Sequence, residues 1–98
     1  MFIQTEETPN PNALKFMPGR EISPLEPMFF ANKEEANISG LAVKLFDVDS
    51  VTAVFFGDNF ITITKNETLE WSVIKPYVLM IIMDHFTAGF DVFRHNNE

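Results

Sequence analysis

Asp84 and His85 are the one place in this chain where an acid and a histidine stand together beside a strongly apolar stretch, "VLMIIM" (Val78–Met83). Such a pair does chemistry only with a nucleophile or a metal in reach. On a helix, adjacent residues point in different directions, so the two side chains do not converge on one atom. The spacing suits a structural role better: a cationic His85 at the helix end, facing the negative pole of the dipole. His95 stands in the polar tail, and a His85–His95 pair falls short of the roughly four ligands that zinc takes. "DVDSVTAVFFGD" begins like a calcium loop with Asp47 and Asp49, but Thr52 stands where the loop needs glycine and Asp58 where it needs glutamate. "PGR" (Pro18–Arg20) lacks the glycine spacing and the Lys-Ser/Thr pair of a phosphate loop and reads as a turn. No residue is assigned a catalytic, cofactor-binding or metal-ligating role, and the reading is of a protein that is not an enzyme.

The 98 residues suit one domain, and a hydrophobic share of 46% with 21% charged residues is an ordinary globular composition. The formal net charge of -7 argues against nucleic acid and against anionic membrane surfaces. The absence of cysteine excludes disulfides, thiolate metal sites and a cysteine nucleophile within this chain. Phenylalanine is over-used, 11 residues against a single Trp and a single Tyr, so most of these rings are expected in a core or on a surface meant for a partner. "MFIQTEETPNPN" is acidic and has neither the basic start nor the apolar centre of a secretory signal, nor the arginines of a transit peptide. The longest apolar run, "YVLMIIM", is far short of the ~20 residues of a membrane span. The expectation is a cytoplasmic protein.

Alternation predicts strands over "MFIQTEE", "ALKFM", "MFFAN", "SVTAVFF" and "FITITK", the last two joined at "GDN" (Gly57–Asn59) as a hairpin. Ser39 is a good N-cap for a helix through "GLAVKLF", whose Leu41–Leu45 and Ala42–Phe46 pairs form an inward face. A second helix is predicted to start after Thr68 and run to about Phe86, stopped by Gly89, and kinked by Pro76 unless the regular helix begins later. Pro9 and Pro11 hold Thr8 and Asn10 extended between the first two strands. The fold class is α+β, two-layer, with an antiparallel or mixed sheet of about five strands and both helices on one face. Residues 1–90 form the domain, and residues 91–98 are expected as a flexible tail or linker. Val78–Met83 is apolar on every side of its helix, more than one sheet face covers. Met80, Met83, Phe90 and Phe93 are therefore the candidate partner interface, with the two methionines as adaptable contacts; the competing reading packs the helix under a loop as well as on the sheet and folds Phe90 and Phe93 back to complete the core.

"FIQTEETPNPNALKF", "LAVKLFDVDSVTAVFFGDNFITITK", the Trp before "IKP" and "IMDHF" together resemble the N-terminal domain of the Nfu/NifU-like iron–sulfur cluster scaffold proteins, over Met1 to about Phe90. The Thr-Pro-Asn-Pro-Asn run at Thr8–Asn12 is the most specific part. It departs from the family pattern at Gly40, where Pro often follows the capping Ser, and at Ser50, where Gly is frequent. The resemblance implies a non-catalytic accessory domain that supports cluster assembly and delivery through protein contacts. It implies as partners the iron–sulfur target apoproteins, other assembly proteins and a C-terminal Cys-x-x-Cys domain. A 4Fe–4S cluster is expected on that further domain, and no cofactor in this chain. The chain then reads as an excised domain or an unusual short member, of bacterial rather than mitochondrial type. The alternative is a stand-alone binding or regulatory module holding iron weakly through carboxylates and His85.

Overall fold

The computed structural model describes residues 1–94. Five strands, β1 (Gln4–Glu7), β2 (Ala13–Met17), β3 (Met28–Phe30), β4 (Val51–Phe56) and β5 (Ile61–Lys65), and two α-helices, α1 (Gly40–Phe46) and α2 (Trp71–Thr87), follow in the order β1-β2-β3-α1-β4-β5-α2. The sheet is antiparallel throughout, in the spatial order β1-β2-β5-β4-β3. Each strand partner is therefore reached by a hairpin except where β3 lies beside β4 and β2 beside β5.

Side-chain alternation fixes the two faces of this sheet. Paired positions line up as the row Phe30, Val54, Ile63 and Leu14, and as the row Phe56, Ile61 and Phe16. All seven are buried and join Leu41, Leu45, Ile74, Val78 and Ile82 from the helices in one core. This is the two-layer α+β arrangement expected, with the helices covering one face. The opposite face carries the row Phe29, Phe55, Thr62, Lys15 and Glu6. A register shift between Val51 and Ala53 leaves Thr52 as the extra residue of β4.

The hairpin between β4 and β5 closes with the Gly57 N–H donating to the Phe60 carbonyl (2.9 Å). Glycine is needed there because a Cβ would stand 2.2 Å from the Phe60 ring. Ser39 caps α1, its hydroxyl accepting from the Ala42 N–H at 3.1 Å. Four elements differ from their sequence expectation. β1 starts at Gln4 and β3 stops at Phe30, so both edge strands are shorter than predicted. A 3-10 turn over Glu35–Ile38, unsignalled by periodicity, precedes α1. α2 begins at Trp71 rather than directly after Thr68, and continues through Pro76 as a single element. Thr68 is drawn into a local turn instead, its N–H donating to Asn66 Oδ1 (3.1 Å).

The Thr8–Asn12 segment joins β1 to β2 and is bound to the end of β5 and the start of α2. Asn10 Oδ1 accepts from the Asn12 N–H (2.9 Å), and Asn10 O accepts from the Ala13 N–H (3.0 Å). The Lys65 ammonium donates to Asn12 Oδ1 (3.2 Å), and the Trp71 indole N–H donates to the Pro11 carbonyl (3.0 Å). Two prolines pre-set the backbone of this loop, so these bonds form with little further ordering. The loop is a clasp between the first hairpin and the start of α2.

Candidate functional site

The mean hydropathy of α2 is high because it is apolar on nearly all sides, as the sequence predicted for Val78–Met83. Ile74, Val78 and Ile82 face the sheet and are at most 1% exposed. On the outside, Val73, Tyr77 and Met80 recur at helical spacing and stay open to solvent, with Met83 one turn on; Tyr77 is 55% exposed and Met80 53%. Glu70 precedes this stripe by three positions and Asp84 follows Met80 by four, so both ends are acidic. Beside it, Tyr77 and Ile81 with Val48 line a shallow groove that Asp47 and Asp49 border.

Gly89, at φ +80°, ends α2 and turns the chain back over α1. The returning residues 90–94 are fastened at three points. His85 Nε2 donates to the Asp91 carbonyl (2.8 Å), the Ser39 hydroxyl donates to the Val92 carbonyl (2.6 Å), and the Arg94 N–H donates to the Ile38 carbonyl (2.8 Å). Ser39 thus serves two elements at once. Phe93 is half-buried, its ring edge-on to Phe56 at 6.0 Å. Phe90 stays 58% exposed, with the Lys44 ammonium 4.8 Å from its ring centre.

The structure therefore divides the four interface candidates. Met80 and Met83 share the outer side of α2, Phe90 stands exposed past its C-terminus, and Phe93 packs against the core. The residues that organise this corner, Ser39, Lys44 and His85, carried no sign of it in the sequence beyond the capping role of Ser39. Lys44 and His85 lie 41 positions apart, with Nζ and Nδ1 at 3.5 Å.

His85 corrects the sequence reading. Its side chain is buried, and burial lowers its pKa from the ordinary 6.5; the Asp91 carbonyl acts the other way, and the Lys44 ammonium lowers it further. The Asp91 carbonyl requires a proton on Nε2, and the lowered pKa favours the neutral imidazole over a cation on the helix dipole. Asp47, of the calcium-like sequence, forms an ion pair with Lys33. Among the described residues no three His, Cys, Asp or Glu side chains come together as metal ligands. No helix among them is long and apolar enough to cross a membrane. His95 lies outside the described residues.

A clasped Pro-Asn-Pro-Asn loop, a five-stranded antiparallel sheet and two helices on one face define a two-layer α+β domain. The profile of the family described as "Scaffold protein Nfu/NifU N terminal" matches residues 3–89, and the chain belongs to that family. Similar proteins include the "NFU1 iron-sulfur cluster scaffold homolog, mitochondrial" of Drosophila persimilis, 50% identical over 93 residues that make up 94% of this chain and 33% of that protein. The human protein of the same name is 49% identical over 90 residues, 91% of this chain and 35% of its own length. The chain thus spans about a third of the length of these curated relatives. Among solved structures, a NifU-like protein from Saccharomyces cerevisiae superposes with a TM-score of 0.83 at 30% identity, over 97% of this chain and 86% of that one. A Staphylococcus aureus protein shares the fold alone, with a TM-score of 0.73 at 20% identity over 84% of this chain and 99% of that one. These relatives overturn two expectations. Proteins about half identical to this chain are named as mitochondrial, so the cytoplasmic location and the bacterial type read from the N-terminal residues do not hold.

Proposed function

We propose that this chain is the non-catalytic N-terminal domain of an iron–sulfur cluster scaffold or carrier, working in the compartment its relatives are named for. Its part in assembly and delivery is protein contact, while a 4Fe–4S cluster is held by cysteines of a further domain. The observation that carries this reading is the family match of a chain that has no cysteine of its own. Thiolates are the usual cluster ligands, so a scaffold domain without them contributes something other than ligation. The exposed outer side of α2 and the following Phe90 supply the surface for target apoproteins, for assembly proteins and for a Cys-x-x-Cys domain. Phe93 anchors the returning segment through Phe56.

Amide-shift mapping of the labelled chain against an apo iron–sulfur enzyme or a separate Cys-x-x-Cys domain tests this. Perturbations are expected at Met80, Met83, Phe90 and Phe93. Shifts gathered instead at Thr8–Asn12 and Gly57–Asn59, or none at all, overturn it.

A further inference from the structure

We propose that the outer face of α2 docks a basic amphipathic helix of a partner protein, laid along Val73, Tyr77 and Met80 with its cations over Glu70, Asp49 and Asp84. The inference rests on the reading of this chain as a contact domain and names the chemistry of what it contacts.

Three features of one surface converge on it. The first is an apolar stripe at helical spacing, with Val73 47% exposed and Met80 53%. A row of this kind takes a complementary apolar helix face by ridge-into-groove packing, and methionine adapts to the partner's shape. The second is where the charges stand. Glu70 and Asp84 close the two ends of the stripe, 14 positions or about 21 Å apart on a helix, a span that four turns of a partner helix match. Asp49 borders the adjoining groove beside Tyr77 and Ile81. The third is that the cations nearby are already engaged, including Lys44, which shares a hollow with Asp84. Lys33 is engaged with Asp47, Lys44 lies at the Phe90 ring and His85, and Lys75 lines the cleft beside Trp71 and the Thr8–Asn12 loop. An apolar ridge framed by carboxylates selects a partner that is apolar and basic and repels an acidic one. A second copy of this chain, at net charge -7, is a poor occupant for the same reason. The outer sheet face, with Phe29 60% exposed, is the competing surface, but there Phe55 and Phe60 pair at 5.9 Å and Lys15 sits 4.3 Å from the Phe60 ring, which puts a cation on that face.

The test titrates the labelled chain with two synthetic helical peptides of identical leucine face, one with lysines on its flanks and one with glutamates. The lysine peptide is expected to shift Val73, Tyr77, Met80 and Ile81 at low salt and to weaken as salt rises; the glutamate peptide is expected to leave them unmoved. The double variant E70K/D84K, both positions exposed and outside the core, should weaken the lysine peptide by about tenfold and admit the glutamate one. Equal binding of both peptides, no shift on α2, or shifts centred on Phe29 and Phe55 overturns the proposal. An apo enzyme that still shifts Met80 while neither peptide does leaves the contact domain standing and removes only the basic helix. A lysine peptide that binds where no apo enzyme does has the opposite consequence.

Discussion

His85 shows how a single side chain changes meaning between chain and fold. Next to Asp84 at a helix end it reads as a cation on a dipole; in the structure it is a buried ring, its pKa lowered, bridging α2 to the returning segment of residues 90–94. Nothing in the local pattern reports this, because the Lys44 ammonium comes from 41 positions away and the Asp91 carbonyl is brought back only by the turn at Gly89. The lowered pKa has a direct consequence for stability. A base whose folded pKa lies below its unfolded value contributes fully above the unfolded pKa, and that contribution is lost as pH falls through the folded one. Urea unfolding should therefore show stability declining as pH drops below about 6.5, the ordinary value, and the decline in this range should be much smaller in His85→Gln, whose amide retains the donor. Equal pH slopes for the two proteins would show that His85 is not the group titrating.

At the scale of elements, the central strands were legible because their pattern is local. "VTAVFF" and "ITITK" alternate, glycine marks the turn between them, and the register in the structure follows that alternation. Phe55 and Phe56 are the sharpest case, adjacent residues that end on opposite faces. Phe56 is fully buried between Phe30 and Phe93, whereas Phe55 is partly exposed beside Phe60. Phe56→Ala should cost about 3–5 kcal/mol in chemical denaturation, and Phe55→Ala about 1 kcal/mol, the worth of a half-covered ring contact. Large and equal losses would mean that the outer sheet face is covered as well. The start of α2 was misplaced for a physical reason. Thr68 is as good a cap by composition as Ser39, but Asn66 takes its amide, while Trp71 is held by the Pro11 carbonyl 60 residues away. Propensity lost there to a tertiary bond.

For the molecule as a whole, the sequence carried the fold class and the family, since both rest on patterns spread along the entire chain. It carried the candidate surface only in part. The excess of apolar residues in α2 was visible, and which of them stay outside was not, because that depends on how residues 90–94 fold back. Phe93 followed the chain into the core and Phe90 did not. The lack of cysteine has its own outcome at this scale. Anaerobic reconstitution of this chain with iron and sulfide, followed by desalting, should leave no visible charge-transfer absorption, since thiolates are what hold such clusters. A stoichiometric chromophore would mean that carboxylates and His85 bind iron after all and would revive the weak-iron module.

The bond from Trp71 to Pro11 also equips the molecule with an optical readout. The chain has one tryptophan and one tyrosine. The indole is fixed where the first hairpin meets α2, with the Lys65 ammonium 5.6 Å from its ring, while the Tyr77 phenol stands in solvent on the outer stripe of the same helix. Emission from the indole thus follows the opening of the clasp, and absorbance of the phenol follows what settles on the helix. Folding and docking report in separate spectral channels without any label being attached.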